Sequence, residues 1–192
     1  MNLPDDLPIK QFRNAAAWNK WLSAHHGEPG AWLKIAKKGS GATTLSFEQA
    51  IEVALCNGWI DGLRRGLDEV FFLQRFTPRK PRSLWSKINV AKVERLIEAG
   101  RMRPAGVREV EAAKTDGRWQ AAYDGAARMQ VPDDLANALA ENRKAQAFFE
   151  ALDRTNRFAF CFRVHTAVKP ETRRARIEKF VAMLARGEKL HG

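Results

Sequence analysis

A chain of 192 residues that is 45% apolar and 29% charged has the composition of a folded soluble protein of one domain, or one with an appendage, and not of a disordered chain. Its net charge of +11 is concentrated, with +6 over residues 55–103 and +5 over 161–192, which favours nucleic acids, nucleotides or acidic headgroups as partners. Two distant cysteines, Cys56 and Cys161, exclude a disulfide framework and fit a reducing compartment.

Residues 9–26 read as a helix, with Phe12, Ala15, Ala16, Trp18, Trp21, Leu22 and His25 on one broad face and Gly27 as the stop. AWLKIAKK (31–38) reads as a strand, and the following GSGATT as a flexible turn, because its spacing matches no phosphate-binding fingerprint. Ser46 and Gln49 have capping-box spacing. Phe47, Ala50, Ile51, Ala54 and Leu55 follow at helical spacing up to Gly58. Trp59–Arg65 and Val70–Thr77 then form a hairpin. In its second strand Val70, Phe72, Gln74 and Phe76 alternate with Phe71, Leu73, Arg75 and Thr77, so both faces should be partly covered. Arg75 on such a face needs a counter-charge, for which Asp61 is the expected partner.

Pro78 and Pro81 hold the next loop extended, and Ser83 or Ser86 caps a short turn. Asn89 is expected to cap a helix over 90–99 with Val93, Leu96 and Ile97 inward. Pro104 opens another helix with Val107, Val110 and Ala113 in its stripe. Residues 124–130 show no periodicity and read as a linker. Beyond them all is helical, ending in a helix from Pro170 with Arg173, Arg174, Arg176 and Lys179 mostly outside. The expected class is α+β and predominantly helical: a small antiparallel sheet of about three strands over residues 1–124, then a helical region over 131–192.

Between Arg75 and Lys92 there are six basic residues and no acid. Guanidinium forks suit phosphate or carboxylate, and indoles can stack on a base or sugar. The expected ligand-binding set is therefore Trp59, Asp61, Arg64, Arg75, Arg79, Arg82, Trp85, Lys87 and Asn89, with an anionic small molecule or nucleic acid as ligand. Two other classes compete: an enzyme using Asp61 with the arginines, and a protein–protein module using the aromatic-rich tail. No catalytic residue, metal site or cofactor is expected, since no nucleophile or zinc spacing is present. The start MNLPDDLPIK lacks the basic and apolar regions of a signal peptide, and no run approaches the ~18 apolar residues of a membrane span. The expected location is cytoplasmic.

The strings GWIDG (58–62), RFTPRKPRSLWSKIN (75–89) and AAKTDGRW (112–119), with the tail from VPDDLANAL to KPETRRARI (131–177), resemble the bacteriocin-protection, YdeI/OmpD-associated family. The resemblance covers most of the chain, and the tail resembles the part usually delimited as its own small domain. It implies a bacterial protein linked to defence against bacteriocins or antimicrobial peptides and to stress resistance. It carries over no reaction and no catalytic residues.

Overall fold

Alternating apolar side chains make the two central strands of a four-stranded sheet, ordered β1 (Ile9–Lys10), β2 (Ala31–Ala36), β4 (Phe71–Pro78) and β3 (Trp59–Gly66). The structure is a computed structural model that describes residues 5–191, and its contacts divide the chain into two units, Met1–Ala122 and Tyr123–Gly192. Strands β2, β4 and β3 are antiparallel, whereas β1 runs parallel to β2 with Ile9 opposite Trp32. The sheet is thus mixed and has one strand more than the sequence suggested.

The helix expected from residue 9 begins later, as α1 (Ala15–Ala24). Asn14 sets that start, its side-chain oxygen accepting the Ala17 N–H at 3.0 Å. Phe12 still packs on the core, which is why the apolar period continued across the helix boundary. Helix α2 (Phe47–Cys56) has the full capping box, Gln49 N–H to Ser46 Oγ at 3.2 Å and Ser46 N–H to Gln49 Oε1 at 3.1 Å. At its end Gly58 takes φ +75° and turns the chain into β3. One sheet face, with Ala31, Leu33, Ile35 and Phe76, belongs to a core that holds Trp18, Leu22, Ile51, Leu55 and Trp59. Trp18, Trp32, Trp59 and Trp85 are all fully buried. Each such indole removes about 150–250 Å² from water, roughly 4–6 kcal/mol before the cost of ordering.

Helix α3 (Lys87–Glu98) buries Val93 and Leu96, while Ile97, expected inside, is exposed. Ser86 rather than Asn89 is its cap, with Ser86 Oγ accepting the Asn89 N–H at 3.2 Å. The hydroxyl three residues before that N–H outcompetes the asparagine, which lies inside the first turn. Helix α4 (Pro104–Thr115) buries Val110 and Ala113 and exposes Val107. Its first turn meets the last turn of α2 backbone to backbone at Gly106.

The second unit comprises α5 (Asp133–Ala140), α6 (Arg143–Glu150), α7 (Arg154–His165) and α8 (Pro170–Ala185) around Leu135, Leu139, Phe149, Phe160, Ile177 and Phe180. Asn142 and Asp153 cap α6 and α7. Met129, in the stretch read as a linker, packs against this core. Arg173 is half-exposed and tied down rather than free: it pairs with Asp134 through two contacts at 2.5 and 2.8 Å and donates to the Val164 carbonyl at 2.7 Å. Arg176 likewise donates to the Arg163 carbonyl. The buried Asn156 holds His191 by N–H and C=O contacts at 2.9 and 3.2 Å, tying the chain end to α7.

Candidate functional site

The hairpin turn is built by Asp68, whose carboxylate accepts the N–H groups of Phe71 at 2.7 Å and Val70 at 2.8 Å. Those two bonds, Phe71 first, hold its carboxyl below the usual range. In β4, Phe76 pairs with Asp61 across the ladder, so Asp61 lies on the Phe76 side of the sheet. Arg75, one residue along, projects from the opposite side, opposite Trp32 of β2. Asp61 is therefore not its partner. Asp5 is: its carboxylate meets Arg75 Nε at 2.9 Å and accepts the Trp32 indole N–H at 2.8 Å.

Asp61 is half-buried, and burial pushes its carboxyl up. Its own backbone N–H, then Arg64, Arg79 and Lys92, counter part of that rise. Arg64 packs its guanidinium over Phe47 at 4.6 Å and Phe72 at 4.5 Å, and donates from Nε to Gln74 Oε1 at 3.0 Å. Gln74 is buried, and its amide donates to the Gly62 and Leu63 carbonyls at 2.9 and 3.3 Å. This satisfies the backbone where the β3–β4 register shifts between Asp61 and Arg64. Lys92 is ion-paired with Glu48.

The loop after β4 is clamped rather than merely extended. Arg79 is buried, its guanidinium 3.5 Å from the Trp85 ring centroid, with Nη1 donating to the Leu84 carbonyl at 3.2 Å. Its backbone N–H donates to the Gly58 carbonyl at 3.0 Å. Trp85 is also buried and lies edge-on to Trp119 at 4.9 Å. Trp59 contacts Trp18 and Trp21 in the core. Neither Trp59 nor Trp85 offers an open face for stacking a ligand. The sequence marks both as large aromatics but does not say how deeply each is covered.

Residues 80–83 form a turn closed by Ser83 N–H to the Lys80 carbonyl at 3.0 Å and by Lys80 N–H to Ser83 Oγ at 3.0 Å. Pro81 at its second position and Arg82 at φ +66° in its third make the type II pattern, in which glycine or asparagine is usual. Arg118, itself chelated by Asp116, donates to the Ser83 carbonyl at 2.8 Å and fastens the turn to the residues after α4. Lys80, Arg82 and Lys87 are exposed at the surface of this stretch. Asp116 is held below the usual carboxylate range chiefly by Arg118 and also feels Arg82. The nine expected site residues thus separate: Arg75 on one sheet face, Asp61 and Arg64 toward the other, Trp59, Arg79 and Trp85 inside, and Arg82, Lys87 and Asn89 along the turn and the start of α3. Asp5, Gln74 and Arg118, which organise these positions, were not singled out by any local pattern.

Two family models match this chain. Residues 10–109 match a domain of unknown function (DUF8412), and residues 128–187 match the model described as Bacteriocin-protection, YdeI or OmpD-Associated. No curated protein and no solved structure matches.

Proposed function

The chain belongs to the bacteriocin-protection, YdeI- or OmpD-associated family, with the DUF8412 domain preceding that segment, and we propose that it is a cytoplasmic binding protein whose first unit takes the phosphates of a nucleic acid on the turn Lys80–Ser83. The observation that carries this is Arg82. A non-glycine residue at φ +66° costs of order 1–2 kcal/mol, and such strain persists where surrounding structure holds it and a side chain is needed there. Here the surroundings are rigid: Arg79 stacked on Trp85 below, Arg118 on the Ser83 carbonyl beside, and proline on either side of the Arg79–Lys80 pair. Lys80 and Arg82 project from that base as exposed cations. The arginine fork meets phosphate oxygens in pairs, while the lysine acts as a point charge.

Fluorescence anisotropy with a short DNA duplex tests this. Binding through two or three phosphates gives a slope of log K against log salt of roughly −2 to −3. Arg82→Gly removes the fork and relieves the φ strain together. It should weaken duplex binding while leaving the first unit as stable as before, or up to about 1 kcal/mol more stable. Undiminished binding by Arg82→Gly, or no binding even at low salt, rules the turn out.

A further inference from the structure

The ends of α1 and α2 and the start of α4 border a second, open cationic site, in the first unit and apart from the Lys80–Ser83 turn. Two cavities of about 370 and 400 Å³ meet there, and Arg103 lines both. Each is of the size that takes a small metabolite. The Arg103 backbone is held on both sides, its N–H donating to the Cys56 carbonyl at 3.0 Å and its carbonyl accepting the Val107 N–H at 3.0 Å. Arg108, one turn further along α4, lines the larger cavity with Arg103 and His26. Among the described residues neither arginine side chain has a hydrogen bond or an ion pair, and no carboxylate lines either cavity. Arg101, in the smaller cavity, is by contrast occupied by Glu52 at 2.8 Å.

The larger cavity also has a recognition element of the opposite polarity. Asn57 is only 8% exposed, and its amide nitrogen is used twice, on Asn19 Oδ1 at 2.9 Å and on the Val53 carbonyl at 2.8 Å. Those two bonds fix the carboxamide, Asn57 lines the cavity, and its amide oxygen accepts no hydrogen bond among the described residues. Leu22, Pro104 and Ala105 supply an apolar floor. Two unpaired guanidinium groups call for an oxyanion, and a fixed acceptor beside an apolar floor calls for a hydroxylated body. We propose that this cleft binds a small phosphomonoester with a hydroxylated body, such as a pentose phosphate or nucleoside monophosphate. Arg103 and Arg108 take the phosphate, and Asn57 accepts from a hydroxyl.

The experiment is an NMR titration of the ¹⁵N-labelled full chain with ribose 5-phosphate, AMP, inorganic phosphate and ribose. Saturable amide shifts with ribose 5-phosphate or AMP should cluster at residues 22–26, 57 and 103–108, and ribose should give none. Arg103→Gln and, separately, Arg108→Gln should each weaken binding at least about tenfold, as loss of a charge-assisted contact does. Both side chains are exposed, so folding should survive; if one variant misfolds, the other decides. Arg82→Gly should bind these ligands as the parent does, which separates this site from the turn. The proposal is overturned by no saturable shift at about 10 mM ligand, by shifts centred elsewhere, by unchanged affinity in the arginine variants, or by inorganic phosphate binding as tightly as the phosphomonoesters.

Discussion

Gly106 sits three residues into α4, and two physical effects give opposite signs for Gly106→Ala. Helix propensity alone favours alanine by about 1 kcal/mol. Packing opposes it: a Cβ built on Gly106 overlaps the Cys56 carbonyl oxygen and lies 2.8 Å from both the Cys56 carbonyl carbon and the Leu55 oxygen. All three are backbone atoms at the last turn of α2, so no side-chain rotation relieves the contact. To restore ordinary spacing, the start of α4 must back away, stretching the Arg103 N–H to Cys56 carbonyl bond that joins the two helices. Overpacking costs about 1–3 kcal/mol and a weakened hydrogen bond about 1 more, so packing wins by roughly 1–3 kcal/mol. All six tryptophans lie in the first unit, so urea unfolding followed by indole fluorescence reports this unit alone. The midpoint should fall, with a melting temperature lower by about 5–10 °C. Gly27→Ala, whose Cβ meets nothing within 4 Å, is the control and should change little. A Gly106→Ala protein as stable as its parent would mean the helices do not approach as described.

Two further predictions concern pH. The raised Asp61 carboxyl makes the first unit lose stability as pH rises from the usual aspartate range through the raised value, because there the folded state holds the extra proton. Asp61→Asn should match the parent in acid and exceed it at neutral pH in urea titrations; a neutral-pH loss would instead show that Arg64, Arg79 and Lys92 repay the burial. Asp134 has the opposite sign, its carboxyl held down first by its hydrogen bond to Arg173, so its contribution is present above the usual aspartate range and is lost as pH falls through the lowered value. The pair is partly exposed, so Asp134→Asn should cost the second unit at most about 1 kcal/mol at neutral pH, measured by circular dichroism, with the difference closing in acid. A difference that persists in acid would assign the effect to packing rather than charge.

Much of this protein was legible residue by residue. The Ser46–Gln49 box, the Gly58 turn, the prolines that open α4 and α8, and the strand alternation of 71–78 are local signals, each set by a few neighbouring φ/ψ angles and one or two hydrogen bonds. The split into an α+β region and a helical region follows from them, as does the concentration of charge. The two-residue strand β1 was not legible, because so short an extended piece carries no period of its own and exists by pairing with β2.

The site was less legible than the fold. Arg75, Arg79 and Arg82 read alike in the sequence, yet one is neutralised by Asp5, one is packed on Trp85 and one stands in solvent at positive φ. Asp5 and Arg75 lie at opposite ends of the hairpin-bearing segment and meet only because β1, β2 and β4 are neighbours in the sheet. Arg103 and Arg108 carry no local signal of a site, because the rest of the cleft around them comes from the ends of α1 and α2. The chain itself determined which segments are helix or strand and where positive charge accumulates, since both depend on residues close in sequence. Tertiary structure alone decided which of those charges are spent and which remain open, since the energy of a charge is set by whatever distant segment the fold brings within a few ångströms.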